Sequence, residues 1–297
     1  MPAYSLMPQS PVGAVITGLN LKEKLSSSIL KKLLKDVHKY KILIVKNQGI
    51  IDGAQQIEVT RHFGEIETAG FELHPKSPDR LVLRVSNDEE EGFREFGTKG
   101  FHIDGSFMPN PNAFSIYHII NTPSRGDTWF VSLNDVYNRI SKEQQERWER
   151  LWMVKKFDSI RGFRDKPGMI VHPLVYYHPV TRKKTLCIAQ GKTTGFVWDF
   201  KSDNQAQASK EETQQIFQEI DDAIYADDQK YIYKHQWEPG DFIISDNLAV
   251  GHMAGRSTQS SPEDVGLRVM HRTIVRGKSQ PSKEKPEKIR TLCACFG

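Results

Sequence analysis

The chain has 297 residues, 38% of them hydrophobic and 10% aromatic, which is enough for one large β domain with a substantial core. No apolar run approaches the roughly 20 residues that span a bilayer, and MPAYSLMPQS lacks a basic region followed by an apolar one, so neither a membrane span nor a secretory leader is expected. A net charge of +4, from 41 basic and 37 acidic residues, selects no nucleic-acid partner, and three sparse cysteines (Cys187, Cys293, Cys295) suit a reducing, cytoplasmic setting.

In chain order, Val12–Gly18 reads as a strand with turns. A helix follows, with Leu25, Ile29, Leu30, Leu33, Leu34 and Val37 at three- and four-residue steps and Ser26–Ser28 as capping residues. Ile42–Val45 is the length of a buried strand, and a second helix is expected from Gly53 to Phe63. Residues 75–100, with the acidic run Asp88–Glu91, read mostly as a mobile loop carrying a short strand at Leu81–Val85. Beyond Phe101, β-type runs occur at Ala113–Ile120, Thr128–Ser132, Lys184–Ala189, Phe242–Ser245 and Gly266–Val275. Helical patterns interrupt them at Leu133–Ile140, Lys142–Leu151 and Glu211–Ala226. Residues after Gly277 read as a basic, solvated tail. Pattern alone gives a mainly β fold decorated by helices.

The segment Gly100-Phe101-His102-Ile103-Asp104-Gly105-Ser106-Phe107 carries the chemistry. In extended backbone His102 and Asp104 share a face, so an imidazole and a carboxylate can take two adjacent metal positions. By itself His-x-Asp is equally a loop histidine beside a capping aspartate. Far downstream, Trp237-Glu238-Pro239-Gly240-Asp241 and an apolar strand lead through Asp246-Asn247 to Gly251-His252. In Gly266–Thr273, alternation puts Arg268, Met270 and Arg272 on one face; two inward arginines are costly unless each meets an anion.

Four segments, FHIDGSF (101–107), NTPSRGDTWFVSLNDVY (121–137), WEPGDFIISDN followed by GH (237–252) and LRVMHRTIVRG (267–277), resemble the taurine dioxygenase / 2,4-dichlorophenoxyacetate dioxygenase family of iron(II)/2-oxoglutarate oxygenases. The likeness extends over nearly the whole chain. It implies a double-stranded β-helix (jelly roll) with outer helices, one domain over residues 1–277 and a basic tail over 278–297. It further implies Fe(II) held by His102, Asp104 and His252, with 2-oxoglutarate and O2 as co-substrates. Thr128 and Arg268 would bind 2-oxoglutarate, and Arg272 and His74 would face the substrate. The implied reaction oxidises a C–H bond, by hydroxylation or desaturation, and releases succinate and CO2. Arg272 points to a small anionic, amino-acid-derived substrate. The carboxylate at Asp104 argues against halogenation, since halogenating relatives carry a small residue there.

This chain departs from the family in three places. Arg125 replaces the first glycine of the Gly-Gly-Asp-Thr turn, Ser257–Asp264 adds residues before Arg268, and Ser77 falls where the taurine enzyme has an aromatic, so taurine itself is not expected. His74 reads equally as an exposed loop histidine. His118 is expected to be a satisfied core histidine, His172 and His178 structural, and His271 outward-facing. Gly191–Gly195 lacks the spacing of a phosphate loop. Trp129, Trp198 and Trp237 read as core or pocket wall, and the Cys293-Ala-Cys295 pair is weak as a metal or disulfide signal. Two other classes stay open at this point: the same chemistry on a protein side chain or nucleobase docked by the tail, and a catalytically silent binding module. Oligomeric state, including a homo-oligomer, is not legible.

Overall fold

A computed structural model describes residues 4–68, 73–95, 97–157 and 168–287. Strand β1 (Ser5–Pro8) pairs antiparallel with β2 (Ala14–Thr17), and β2 runs parallel to β3 (Ile42–Val45). A parallel step needs a crossover, which helix α1 (Ser27–Tyr40) supplies. The helix starts where the Ser26 hydroxyl accepts from the Ile29 N–H, and it buries Leu33 and Val37 against the sheet. Helix α2 (Gly53–Arg61), capped by Asp52, and β4 (Leu83–Ser86) lead to β5 (Phe114–Asn121) and β6 (Thr128–Ser132).

Helices α3 (Leu133–Arg139) and α4 (Lys142–Glu149) precede β7 (Leu151–Phe157), β8 (Gly168–Pro173), β9 (Val175–Tyr177), β10 (Lys184–Leu186), β11 (Gly195–Trp198) and β12 (Ala206–Gln207). Helix α5 (Lys210–Tyr225) then gives way to β13 (Ile232–His235), β14 (Phe242–Asp246), β15 (Val250–Ala254), the one-turn α6 (Pro262–Val265) and β16 (Val269–Val275).

The fold is mixed α/β with largely antiparallel sheets. The largest has seven strands in the order β1-β2-β3-β14-β5-β16-β4, and a three-stranded sheet runs β13-β6-β15. Tyr117, Ile119, Ile243 and Met270 of the first meet Phe130 and Val250 of the second in one apolar cluster, so the two sheets pack face to face. The functional residues lie along that interface. A second core joins α3 and α5 to β7 and β11.

Several expectations need correction. Leu151 opens β7 instead of ending a helix, and β8, β11, β13 and β15 had no predicted counterpart. Within 75–100, the acidic run forms a tight turn over β4: Arg84 donates to the Glu91 carbonyl and carboxylate, while Val82 and Asn87 are buried. The basic tail is not free over its described part. The Ser282 carbonyl accepts from the Tyr177 N–H at 2.9 Å, the Pro286 carbonyl accepts from Arg182 Nε at 2.8 Å, and Lys283 lies over the Trp152 ring. Cys293 and Cys295 lie outside the described residues; Cys187 is a buried free thiol.

Candidate metal and co-substrate site

His102 and His252 are stitched together by their own backbones. The His102 N–H donates to the His252 carbonyl at 3.1 Å, and the return bond measures 3.0 Å. This antiparallel bridge brings the two rings to 4.5 Å between centroids. Asp104 already lies in the turn after the bridge, so it is held differently. Asn247 Oδ1 accepts from the Asp104 N–H at 2.8 Å, and Asn247 Nδ2 donates to the Asp104 carbonyl at 3.0 Å and the Asn112 carbonyl at 2.6 Å. The chain can turn there because Gly105 adopts φ 71°, where a Cβ would come within 2.9 Å of the Asn112 amide nitrogen.

The result is a two-imidazole, one-carboxylate cluster whose ligand atoms all lie within 4.8 Å of one another. His252 Nε2 is 3.5 Å and His102 Nε2 is 3.9 Å from the Asp104 oxygens. His102 Nδ1 donates to the Gly100 carbonyl, which fixes the tautomer with the Nε2 lone pair toward the cluster. Among the described residues neither nitrogen of buried His252 makes a hydrogen bond of good geometry, and Nε2 meets only the Asp104 carboxylate at 3.5 Å. A buried imidazole of this kind fits a metal ion, and the donor set is the one used by non-haem iron(II). Burial pushes the His102 pKa down to about 4, helped by His252, which keeps the ring neutral as a ligand must be. Burial would raise the Asp104 pKa, but Arg272 and His252 hold the carboxyl well below the usual range. Ser115 and Arg272 each donate to one of its oxygens.

Arg268 precedes strand β16 and shares a face with Met270, whose sulfur it reaches, while Arg272 of β16 reaches Asp104 of the cluster. Arg268 is 4% exposed, forms no ion pair among the described residues, leaves Nε unpartnered and finds only the Met270 sulfur at 3.7 Å. Burial pushes its pKa down to about 10, with Asp127 the opposing charge. A guanidinium buried without an anion is costly, so the site fits a ligand carboxylate. Thr128 is buried as well. Its Oγ1 accepts from Trp237 Nε1 at 3.0 Å, which leaves its own hydrogen to donate. The extra residues before Arg268 form a short 3-10 turn (Arg256–Gln259) and α6. Asn87 ties them down by donating to the Ser260 and Gly266 carbonyls while its Oδ1 accepts from the Arg268 N–H.

His74 is buried at 8% exposure, not an exposed loop residue. Its nitrogens engage the Glu89 carbonyl and the Lys76 N–H, and its ring meets Phe93 edge-on. His118 is a satisfied interior histidine, accepting from the Ile51 N–H and donating to the Asp241 carbonyl. His271 faces Arg84, away from the cluster. Trp198 packs under Arg147 and Arg150 on the outer sheet, which removes it from the pocket wall. Tyr117 went unnoticed in the sequence although its ring stands edge-on to His252 at 5.8 Å; no local signal marked it, because only the pairing of β5 with β16 sets it opposite Arg272.

His38, His178 and Asp246 form a second convergent trio. His178 Nδ1 accepts from the Val180 and Thr181 N–H groups, so its proton sits on Nε2 and donates to Asp246 at 3.1 Å; His38 Nδ1 donates to the other oxygen at 2.7 Å. With those nitrogens spent on protons, the trio is a structural clasp at the end of β14. Burial would raise the Asp246 pKa, but the His178 and His38 donors hold it far below the usual carboxylate range. A depressed carboxyl stabilises the fold fully above its unfolded pKa near 4, and that contribution is lost as pH falls through the folded value. Asp246→Asn is therefore expected to cost about 2–4 kcal/mol in urea unfolding at pH 7. The gap should narrow below about pH 4, where the wild-type carboxyl begins to lose this advantage.

Against known proteins, residues 4–274 match the family described as taurine catabolism dioxygenase TauD, TfdA family. The chain belongs to this family. The alpha-ketoglutarate-dependent sulfonate dioxygenase of Saccharomyces cerevisiae is 24% identical over 259 residues, and the match spans 82% of this chain but 60% of the yeast enzyme. The (S)-phenoxypropionate/alpha-ketoglutarate-dioxygenase of Sphingobium herbicidovorans is 27% identical, over 85% of this chain and 90% of that one. A taurine dioxygenase from Burkholderia xenovorans superposes with a TM-score of 0.74 at 21% identity, covering 93% of this chain and 92% of that one. AAD-2, solved with Mn(II) and N-oxalylglycine, gives 0.71 at 22% identity, covering 94% and 99%. At these identities the structural likeness establishes the fold. Membership in the family makes the chain an α-ketoglutarate-dependent dioxygenase in class, one that needs Fe(II), 2-oxoglutarate and O2.

Proposed function

We propose that this dioxygenase oxidises an unactivated C–H bond, by hydroxylation or desaturation, of a small anionic and amino-acid-derived substrate, releasing succinate and CO2. His102, Asp104 and His252 would hold the iron, Arg268 and Thr128 the far carboxylate of 2-oxoglutarate, and Arg272 the acidic group of the substrate, with the His74 loop on the substrate side. The seven- and three-stranded sheets would be the two halves of a double-stranded β-helix, in a single domain through Gly277. The buried free thiol of Cys187 suits a cytoplasmic setting. The observation that carries this reading is Arg268, a buried guanidinium lacking an anion, four positions before the arginine that touches Asp104.

The bound iron and 2-oxoglutarate would supply the oxidising power, and the protein positions and shields the reacting groups. Arg268 and Thr128 would orient the co-substrate with a forked cation and a hydroxyl whose hydrogen is free. Ser115 and Arg272 would keep the Asp104 carboxylate ionised and aimed. Arg272 uses one nitrogen on Asp104 at 3.2 Å and leaves Nε unpartnered, so donor capacity remains for a ligand anion. The relatives named for a sulfonate and a phenoxypropionate point to organic acids as the substrate class. The tail is held at Ser282 and Pro286 by Tyr177 and Arg182, which weakens the case for a macromolecular substrate docked by it.

Anaerobic addition of Fe(II) and 2-oxoglutarate should produce the weak visible absorption of the chelate. Small organic acids can then be screened for those that perturb the band and stimulate succinate release on admission of oxygen. Iron binding without the band, and no succinate with any acid, would reject the assignment. Arg272→Ala should raise the substrate's KM by about tenfold to a hundredfold through loss of a charged hydrogen bond; an unchanged KM removes Arg272 from substrate recognition.

A further inference from the structure

Tyr117 ends in a hydroxyl that the fold does not use. The residue is 3% exposed, and among the described residues its hydroxyl has no partner in hydrogen-bond geometry. Buried tyrosine hydroxyls ordinarily find one, because the lost hydration is otherwise uncompensated. Strand β5 sets Tyr117 opposite Arg272 on one side and Ile243 on the other. Its ring stands edge-on to His252 at 5.8 Å and to Phe130 at 6.2 Å, and it senses the charges of Asp104 and Arg272. The phenol therefore belongs to the floor of the metal cluster.

The nearest acceptor in the cluster is Ser115 Oγ, close to the phenol but outside hydrogen-bond geometry with it. One Asp104 oxygen takes the Ser115 hydroxyl, and the other takes Arg272 Nη1. Ser115, two residues back on the same face, spends its hydrogen on that carboxylate. Arg272 Nε is likewise buried and unpartnered, so two unused donors lie on directly paired residues. A ligand oxygen bound close to the metal would give the phenol a charged acceptor that Ser115 does not supply. It is also distinct from the anion expected at Arg268. That residue lies four positions from Arg272, about 13 Å between Cα atoms at ~3.3 Å per residue of extended chain.

We propose that Tyr117 donates a hydrogen bond to the metal-side carboxylate of bound 2-oxoglutarate, forming an inner anion subsite that complements the outer one at Arg268 and Thr128. The inference rests on the iron/2-oxoglutarate reading above.

The test is calorimetric titration of Mn(II)-loaded protein with 2-oxoglutarate and, separately, with pyruvate, which has the same 2-oxo carboxylate but no distal carboxylate. No turnover is involved. Tyr117→Phe removes a single oxygen and should fold normally. It should leave Mn(II) affinity unchanged and weaken both ligands by a similar factor of about 10–100, as expected for a hydrogen bond to a charged oxygen. Arg268→Leu should weaken 2-oxoglutarate alone. Wild-type affinity of Tyr117→Phe for both ligands would overturn the proposal. So would a loss confined to 2-oxoglutarate, which would put the phenol at the distal end. Wild-type protein that binds Mn(II) but not 2-oxoglutarate would overturn the underlying reading, and the subsite with it.

Discussion

Arg268→Leu is expected to abolish useful 2-oxoglutarate binding while making the ligand-free chain more stable. The two effects share one cause. In the free protein Arg268 is a buried cation whose nearest polar contact is a thioether, so replacing it with an apolar side chain of similar length removes a desolvation cost with little to offset it. In the complex the same guanidinium would form a charged, forked pair with a carboxylate, and truncating one partner of such a pair costs about 2–5 kcal/mol, or roughly thirtyfold to several thousandfold in affinity. Urea unfolding without ligand should show a higher midpoint for the variant. Added 2-oxoglutarate should stabilise wild type by about 2.7 kcal/mol at a hundred times its Kd and the variant by less than about 1 kcal/mol at the same concentration. A variant that is destabilised when free, or that keeps its ligand-induced shift, would mean that Arg268 already has an internal partner and is not an anion site.

The second large effect concerns the metal, and it separates two residues that look equivalent in the motif. His252→Ala and Asp104→Ala should each lower Fe(II) affinity by at least about a hundredfold, since a ligand loss must exceed the 10–100-fold typical of losing an outer partner. Succinate formation should fall below detection in both. Their effects on the ligand-free fold should differ. Asp104 is the partner of the buried Arg272, so its removal strands a cation and should cost about 3–5 kcal/mol. Among the described residues His252 makes no hydrogen bond of good geometry through either nitrogen, so its removal should cost mainly packing against Tyr117 and His102. Metal titration followed by thermal unfolding of the metal-free forms reads both quantities. Equal destabilisation by the two substitutions, or retained iron in either, would contradict the geometry.

Strands with an unbroken apolar or alternating run were legible in the sequence. Ile42–Val45 and Thr128–Ser132 have the predicted bounds, because continuous burial or period-two alternation leaves a local signature. Strands β7 and β15 were missed for local reasons. Leu151–Phe157 contains Lys155 and Lys156 and follows a helical pattern without a breaker, while Val250–Ala254 is short and carries a glycine and the histidine. The tail was misjudged because its composition is that of a solvated end. The contacts that hold it, carbonyls meeting the Tyr177 N–H and Arg182 Nε, leave no compositional trace.

The sequence by itself determined the chemical parts: two imidazoles, a carboxylate and an alternating arginine strand, all readable because side-chain type and period-two spacing are local properties. Tertiary structure alone decided how they meet. Asn247 grips the backbone of Asp104 across 143 positions, His102 and His252 pair through main-chain bonds, and Arg268 is left without an ion-pair partner among the described residues while Arg272 meets Asp104. Such pairings depend on which sheet covers which face, and no residue records that in its neighbours along the chain. The same reason hid Tyr117, an ordinary strand tyrosine until the fold set it beside His252 and Arg272.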